Sequence, residues 1–243
     1  MPCRGRRGGT PGAAPHFLLR RVNPDRAQDR QWSPLRADGG GPACELRTRA
    51  MDQIANGLLL YFILPLWLLA GLADWACHRA SNIAHTAGPA ESALHLLMFA
   101  EIAVPLLACL LLEINALVFA VMLVAFVLHE ATALWDVSYA QKRRYISPFE
   151  QHVHSFLELL PLTAGVLVAL LHWESFLSLF GLAATPADWT PRPKEPPLPV
   201  GYIVALLVAA ALLDAGPYLE ELWRGLRARR SGTGRTGLAG RAD

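Results

Sequence analysis

Histidines and carboxylates are bunched along this chain in a pattern that suits metal binding. Asp74, His78, His85, Glu91 and His95 form one stretch, His129, Glu130 and Asp136 a second, and Glu150, His152, His154 and Glu158 a third. Of the chain's 8 histidines, only His16 and His172 fall elsewhere. Residues four apart share a helix face. Asp74 and His78, Glu91 and His95, and Glu150 and His154 have that spacing, while His129 and Asp136 are seven apart, again one face. Imidazole mixed with carboxylate, contributed by several helices, is the donor set of iron, manganese and zinc sites.

The pairs also repeat. Pro89-Ala90-Glu91-Ser92-Ala93-Leu94-His95 matches Pro148-Phe149-Glu150-Gln151-His152-Val153-His154 at Pro, Glu and the final His, 59 residues on, and Trp75 and Trp135 recur at nearly the same offset. This predicts two similar hairpins related by a pseudo-twofold axis, the way carboxylate-bridged di-metal sites are assembled in four-helix bundles. The expected metal ligands are Glu91, His95, His129, Glu150 and His154, completed by Asp74, His78 and Asp136. Glu101, Glu130, His152, Glu158 and His85 are expected to orient those ligands or relay protons.

Plainer roles compete. Ser147-Pro148-Phe149-Glu150 is a capping box, and Gly88-Pro89-Ala90-Glu91 is a similar helix start. His85, His152 and Arg79 suit a wet interface, and a Glu101–His129 hydrogen bond can be purely structural. His129-Glu130 begins like HExxH, but Ala133 stands where the second histidine is needed. Asp214, beside Gly216-Pro217, reads as a helix-start group.

The elements that must position these groups are membrane helices. Hydrophobic residues make up 53% and charged residues 17% of the 243-residue chain, a balance that points to lipid as solvent. Apolar runs over 58–72, 93–112, 114–134, 153–173 and 198–215 approach the ~20 residues a bilayer core requires. The expected fold is therefore all-α, a polytopic bundle of about five transmembrane helices over 51–217, the first four as two repeated hairpins. Glu113-Ile114-Asn115 should turn the second span into the third. Residues 181–199, with six prolines, read as a non-helical surface loop, and Gly216-Pro217 as the end of the last span. Glu101 and His129 then lie ~18 Å and ~24 Å along their helices from the Glu113 turn, inside the hydrocarbon slab, where ionisable groups are functional or at least paired. Pro105 and Pro161 should kink spans two and four and open space beneath the polar cluster.

Residues 218–230 alternate Tyr218, Leu219, Leu222, Trp223 and Leu226 with Glu220, Glu221, Arg224 and Arg227, the pattern of an amphipathic helix lying in the interface, and 231–243 read as a flexible tail. Residues 1–50 hold ten Arg with many Gly and Pro and read as disordered. Lys142, Arg143 and Arg144, and later Arg224, Arg227, Arg229 and Arg230, place the ends of spans three and five in the cytoplasm, hence a cytoplasmic C-terminus in a cell (inner) membrane. The ten-Arg tail would break that rule, which makes Met51 the expected natural start. The four cysteines have no paired spacing, and no Walker loop, GxGxxG or basic aromatic stripe is present, so nucleotide and nucleic-acid roles are not expected.

Over residues 74–158 the chain resembles, in architecture, the integral-membrane di-iron desaturases and hydroxylases, whose histidines cluster at the cytosolic ends of membrane helices. Only His152-Val153-His154 approaches their histidine boxes, and carboxylates replace many of the histidines. The mixed pattern is similar also to a ferritin-type carboxylate bundle, with i,i+4 in place of i,i+3 spacing. The resemblance implies a di-iron or similar site acting as an oxidase or hydroxylase on a lipid-like or small apolar substrate, with Arg143 and Arg144 holding a headgroup. Two other classes remain open. One is a haem-binding electron-transfer protein ligated by a pair such as His95 and His154. The other is a non-catalytic scaffold or transporter with a polar core.

Overall fold

The computed structural model describes residues 42–239, with side chains described for 45–231. The expectations for residues 1–41 and 240–243 lie outside this range. The chain divides into two compact units, Met1–Ile54 and Ala55–Asp243. In the first, the described residues are the opening turns of α1 (Pro42–Leu58). Residues 42–50, expected to be part of a loose tail, are therefore helical. Ala43 to Ala50 contain no Gly or Pro and are mostly good helix formers, so nothing stops the helix from starting there.

In the second unit, α1 passes through a π-turn at Leu59–Ile63 into α2 (Leu64–Ala80). A single 3-10 turn, Ile83–His85, leads to α3 (Pro89–Leu111), followed by α4 (Ala116–Ala140), α5 (Pro148–Leu171) and the short α6 (Trp173–Leu179). Helix α7 (Val200–Ala210) passes through a second π-turn, Ala211–Ala215, into α8 (Gly216–Ala239). Five helical runs are long and apolar enough to cross a membrane: Glu45–Ala80, Pro89–Leu111, Ala116–Ala140, Pro148–Leu171 and Val200–Ser231. The all-α bundle is as expected.

The two π-turns correct the expectation that Gly216-Pro217 breaks the last span. Pro65 and Pro217 each follow a π-turn by two residues, and neither can donate a backbone hydrogen bond. The chain widens one turn instead of breaking: the N–H of Leu64 reaches Leu59 O and that of Gly216 reaches Ala211 O, five residues back. In the first turn the Leu60 carbonyl accepts a 2.7 Å hydrogen bond from the Tyr202 hydroxyl, which ties α7 to the opening helix.

The repeat shows in the packing. Helix α3 lies along α4 and α2 along α5, contacts that a twofold exchange of the hairpins would interconvert. Helix α8 has no counterpart and packs chiefly on α3. Trp67, Leu68, Leu110 and Leu206 form one apolar core, and Ile114, Val118 and Phe119 a second. The outer faces carry exposed Val124, Val127, Leu128 and Leu162, apolar surface that hydrocarbon would cover.

Asn115 caps α4 by accepting from the Val118 N–H, and its amide donates to Thr190 O at 2.8 Å. Backbone bonds from Glu113 to Arg192 O and from Lys194 to Leu111 O hold the proline-rich loop against the α3–α4 turn. At the other end lie the 81–88 and 141–147 turns.

Gly225 of α8 approaches the start of α3 so closely that a Cβ there would sit 3.0 Å from Pro89 N. Gly225→Leu should therefore cost ~1–3 kcal/mol through overpacking, despite the better helix propensity of leucine. Thermal unfolding in detergent checks this, and an unchanged transition would contradict the docking of α8 on α3.

Candidate metal centre

The end of α2, the start of α3, the end of α4 and the start of α5 meet at one end of the bundle, where their paired histidines and carboxylates face one another. Asp74, His78, Glu91, His95, Asp136 and Glu150 are each no more than 3% exposed. Their arrangement follows the repeat. In one half, His95 Nε2 of α3 lies 3.3 Å from Asp136 Oδ2 of α4, with Glu91 one turn before His95. In the other, His154 Nε2 of α5 lies 2.8 Å from Asp74 Oδ1 of α2, with Glu150 one turn before His154. His78 joins the second half, its Nε2 3.3 Å from Asp74 Oδ1 and 3.5 Å from Glu150 Oε1.

Two side chains link the halves. Glu221 of α8 is fully buried, with Oε2 3.1 Å from His78 Nδ1 and Oε1 3.4 Å from His95 Nδ1. The two imidazoles it joins are stacked, their centroids 4.3 Å apart. Arg144 makes the second link: its Nη2 lies 2.5 Å from Glu91 Oε1 and 2.6 Å from Glu150 Oε1. Burial alone would weaken the guanidinium charge, but the hydrogen bonds to Glu150 and Glu91 outweigh it and hold the Arg144 pKa above its ordinary value. Among the described residues, three groups have donor atoms close enough to share an ion: Asp74, His78, Glu150 and His154; His78, His95 and Glu221; and Glu91, His95 and Asp136. Within each group the atoms lie within 4.8 Å of one another. Glu91 Oε2 and Asp136 Oδ1, both in the last group, are buried without a hydrogen-bond partner, which suits a cation more than a closed polar network.

Of the eight expected ligands, the structure gathers seven. His129 is the exception. Its Nδ1 is 3.9 Å from Glu101 Oε2, and Glu101 Oε1 accepts from the Thr132 hydroxyl at 2.9 Å, so these three form a separate polar set between α3 and α4. Position 129 lies seven residues before Asp136, about two turns deeper. His129 and Glu158 instead line a cavity of about 60 Å³ that Asp74, His95, Asp136 and His154 also border. Glu130 is half-buried, and His85 and His152 are exposed, His152 packing on Phe156. Ser147 does cap α5 by accepting from the Glu150 N–H, but the Glu150 side chain is free to turn inward.

Arg144, expected to bind a headgroup, is instead engaged inside the site, with its side chain only 2% exposed. Arg143 is exposed and lies over the Tyr139 ring. Asp214 is not a helix-start group: it sits in the second π-turn, 3% exposed, against Gly71, where a Cβ would fall 2.0 Å from its Oδ1. Glu221, expected on the polar face of an interfacial helix, is the ligand candidate that sequence reasoning missed. The signal was Asp214, Tyr218, Glu221 and Gly225 at intervals of four, three and four, a stripe that becomes the buried face of α8. Tyr218 in that stripe donates to Asp74 Oδ2 at 3.2 Å.

Comparison with protein-family models, curated proteins and solved structures finds no match to this chain. The class stated by fold and site alone is a membrane-type helical bundle with buried His, Asp and Glu groups that can hold metal.

Arg144→Met in chelator-treated protein should destabilise by roughly 3–5 kcal/mol, because Glu91 and Glu150 lose their buried cation. Adding Glu91→Gln and Glu150→Gln should recover much of that loss, read by thermal unfolding of the parent, the single variant and the triple variant. Equal stability of Arg144→Met and the parent would show that Arg144 does not bridge the pair.

Proposed function

We propose that the protein is a cell-membrane, multi-pass metalloprotein that binds two divalent transition-metal ions, iron foremost, and acts as an oxidase or hydroxylase on a lipid-like substrate. The observation that carries this reading is the charge of the cluster. The three ligand groups contain five carboxylates, Asp74, Glu91, Asp136, Glu150 and Glu221, each at most 2% exposed, while Asp214 stands outside those groups. Arg144 offsets one of their charges, and two divalent ions would offset the remaining four while leaving the histidines neutral, the form in which imidazole ligates metal.

One ion would be held by Glu91, His95 and Asp136, the other by Asp74, His78, Glu150 and His154, with Glu221 between them. Mixed imidazole and carboxylate donors suit iron, manganese or zinc, and a redox-active pair would supply the one-electron chemistry an oxidase needs. The protein's own residues do the rest. The Tyr218 hydroxyl orients Asp74, and Trp67, Met98 and Phe99 wall the 60 Å³ cavity beside the ligands with apolar surface. That space suits a molecule the size of a few waters. The positive-inside rule supports an inner-membrane placement with the site and C-terminus on the cytoplasmic side.

A second reading is favoured by Arg144, since a guanidinium between two glutamates and two His–Asp pairs also makes a closed polar core. A haem fits less well, because 60 Å³ is far below the roughly 300–1,000 Å³ of pockets that enclose such ligands.

Elemental analysis and an absorption spectrum of detergent-purified protein decide between the metal centre and the polar core. Two equivalents of metal per chain are expected, with most of it lost in His95→Ala and in His154→Ala, and a lesser loss in His129→Ala. Only trace metal, with stability untouched by chelators, would support the polar core.

A further inference from the structure

A second, larger cavity lies below the metal centre. This cleft of about 340 Å³ runs between α2, α3, α4 and α5 with a lining that is almost wholly apolar. Its residues on α5 extend from Leu160 to His172, about 18 Å at 1.5 Å per residue, or roughly half the ~30 Å hydrocarbon core. That is room for one hydrocarbon chain. Pro105 and Pro161 line it from facing helices, and Gly165 leaves a gap beside Met122.

The two ends differ in charge. At the end nearest the metal centre stands Trp67, which borders both this cleft and the smaller cavity and stacks on Phe99 with centroids 6.4 Å apart. Beyond Trp67 lie the five buried carboxylates, with the nearby Arg144 guanidinium already taken up by Glu91 and Glu150 and so not offered to a headgroup. At the far end the lining includes Lys194, half-buried and held there by its backbone bond to Leu111 O.

We infer that the cleft binds one hydrocarbon chain of an anionic amphiphile with the headgroup at Lys194 and the methyl end against Trp67, so that the chain terminus faces the metal centre. This rests on the proposed metal-centre reading for its catalytic meaning, but the binding itself needs no metal. The polarity is opposite to the one expected from Arg143 and Arg144, since Arg144 is committed to Glu91 and Glu150. A fatty acid and the acyl chain of an anionic phospholipid share this chemistry.

The test uses the full chain in phosphatidylcholine nanodiscs with fatty acids carrying a nitroxide near either the methyl or the carboxyl end. The Trp67 signal is isolated from the other tryptophans by subtracting a Trp67→Phe variant. The methyl-end nitroxide should quench Trp67 more strongly. Lys194→Glu, or replacing the acid by the alcohol of the same chain, should weaken binding about tenfold, equivalent to ~1.4 kcal/mol. Gly165→Phe should block it. Stronger quenching by the carboxyl-end probe, or equal affinity for acid and alcohol, would overturn the inference.

Displacement of the probe by palmitate alone would assign a free acid, and displacement by phosphatidylglycerol alone a phospholipid. Displacement by neither would overturn the assignment. Metal content is measured on the same preparations. Metal-free protein that binds the chain in the stated polarity would remove the metal reading and leave this one standing, whereas metal-loaded protein that does not bind it would remove this one alone.

Discussion

Five buried carboxylates, joined to one another through His78, His95 and Arg144, constrain everything else in this structure. Removing a carboxylate from water costs several kcal/mol even after relaxation, and like charges in a low-dielectric interior add to that cost. Such a cluster persists only if cations are built in or bound. Arg144 is one built-in cation, while His78 and His95 each lie between carboxylates and His154 abuts Asp74. The apolar bulk of the helices secures the fold in lipid, while the polar cluster determines which helix ends must meet.

The pseudo-twofold arrangement solves that problem economically. A Glu and a His one turn apart on α3 and again on α5, each met by an aspartate from the neighbouring helix, produce two similar half-sites from one local design, to one of which His78 adds. The repeat cannot supply a residue on its own axis. Helix α8 does so with Glu221, and the π-turn before Pro217 lets the chain remain helical while turning the Asp214–Tyr218–Glu221 face inward. A π-turn inserts a residue into the helical register, and here it accompanies the step from the mostly exposed, apolar α7 to the packed α8.

Much of this was legible in the sequence because it is periodic. Apolar runs revealed the five spans, i,i+4 pairs identified six of the gathered side chains and an i,i+7 spacing the seventh, Asp136, since those patterns reflect local helix geometry. What escaped depends on tertiary approach. Arg144 looked like an interfacial positive charge, and only the folding of the 141–147 turn over the site carries it between Glu91 and Glu150. Glu221 was hidden beside Glu220, whose partner is the exposed Arg79, because adjacent residues of like charge give no hint of which one turns inward. His129 has the correct face but the wrong depth, a distinction that periodicity does not encode. Pro217 was read as a break because the usual rule assumes an α-helical register on both sides.

Anomalous diffraction from crystals grown with iron tests the central claim most directly. The account predicts two peaks, one among Glu91, His95 and Asp136 and one among Asp74, His78, Glu150 and His154, with Glu221 between them. A map from iron-loaded crystals with no peak at either position would contradict it.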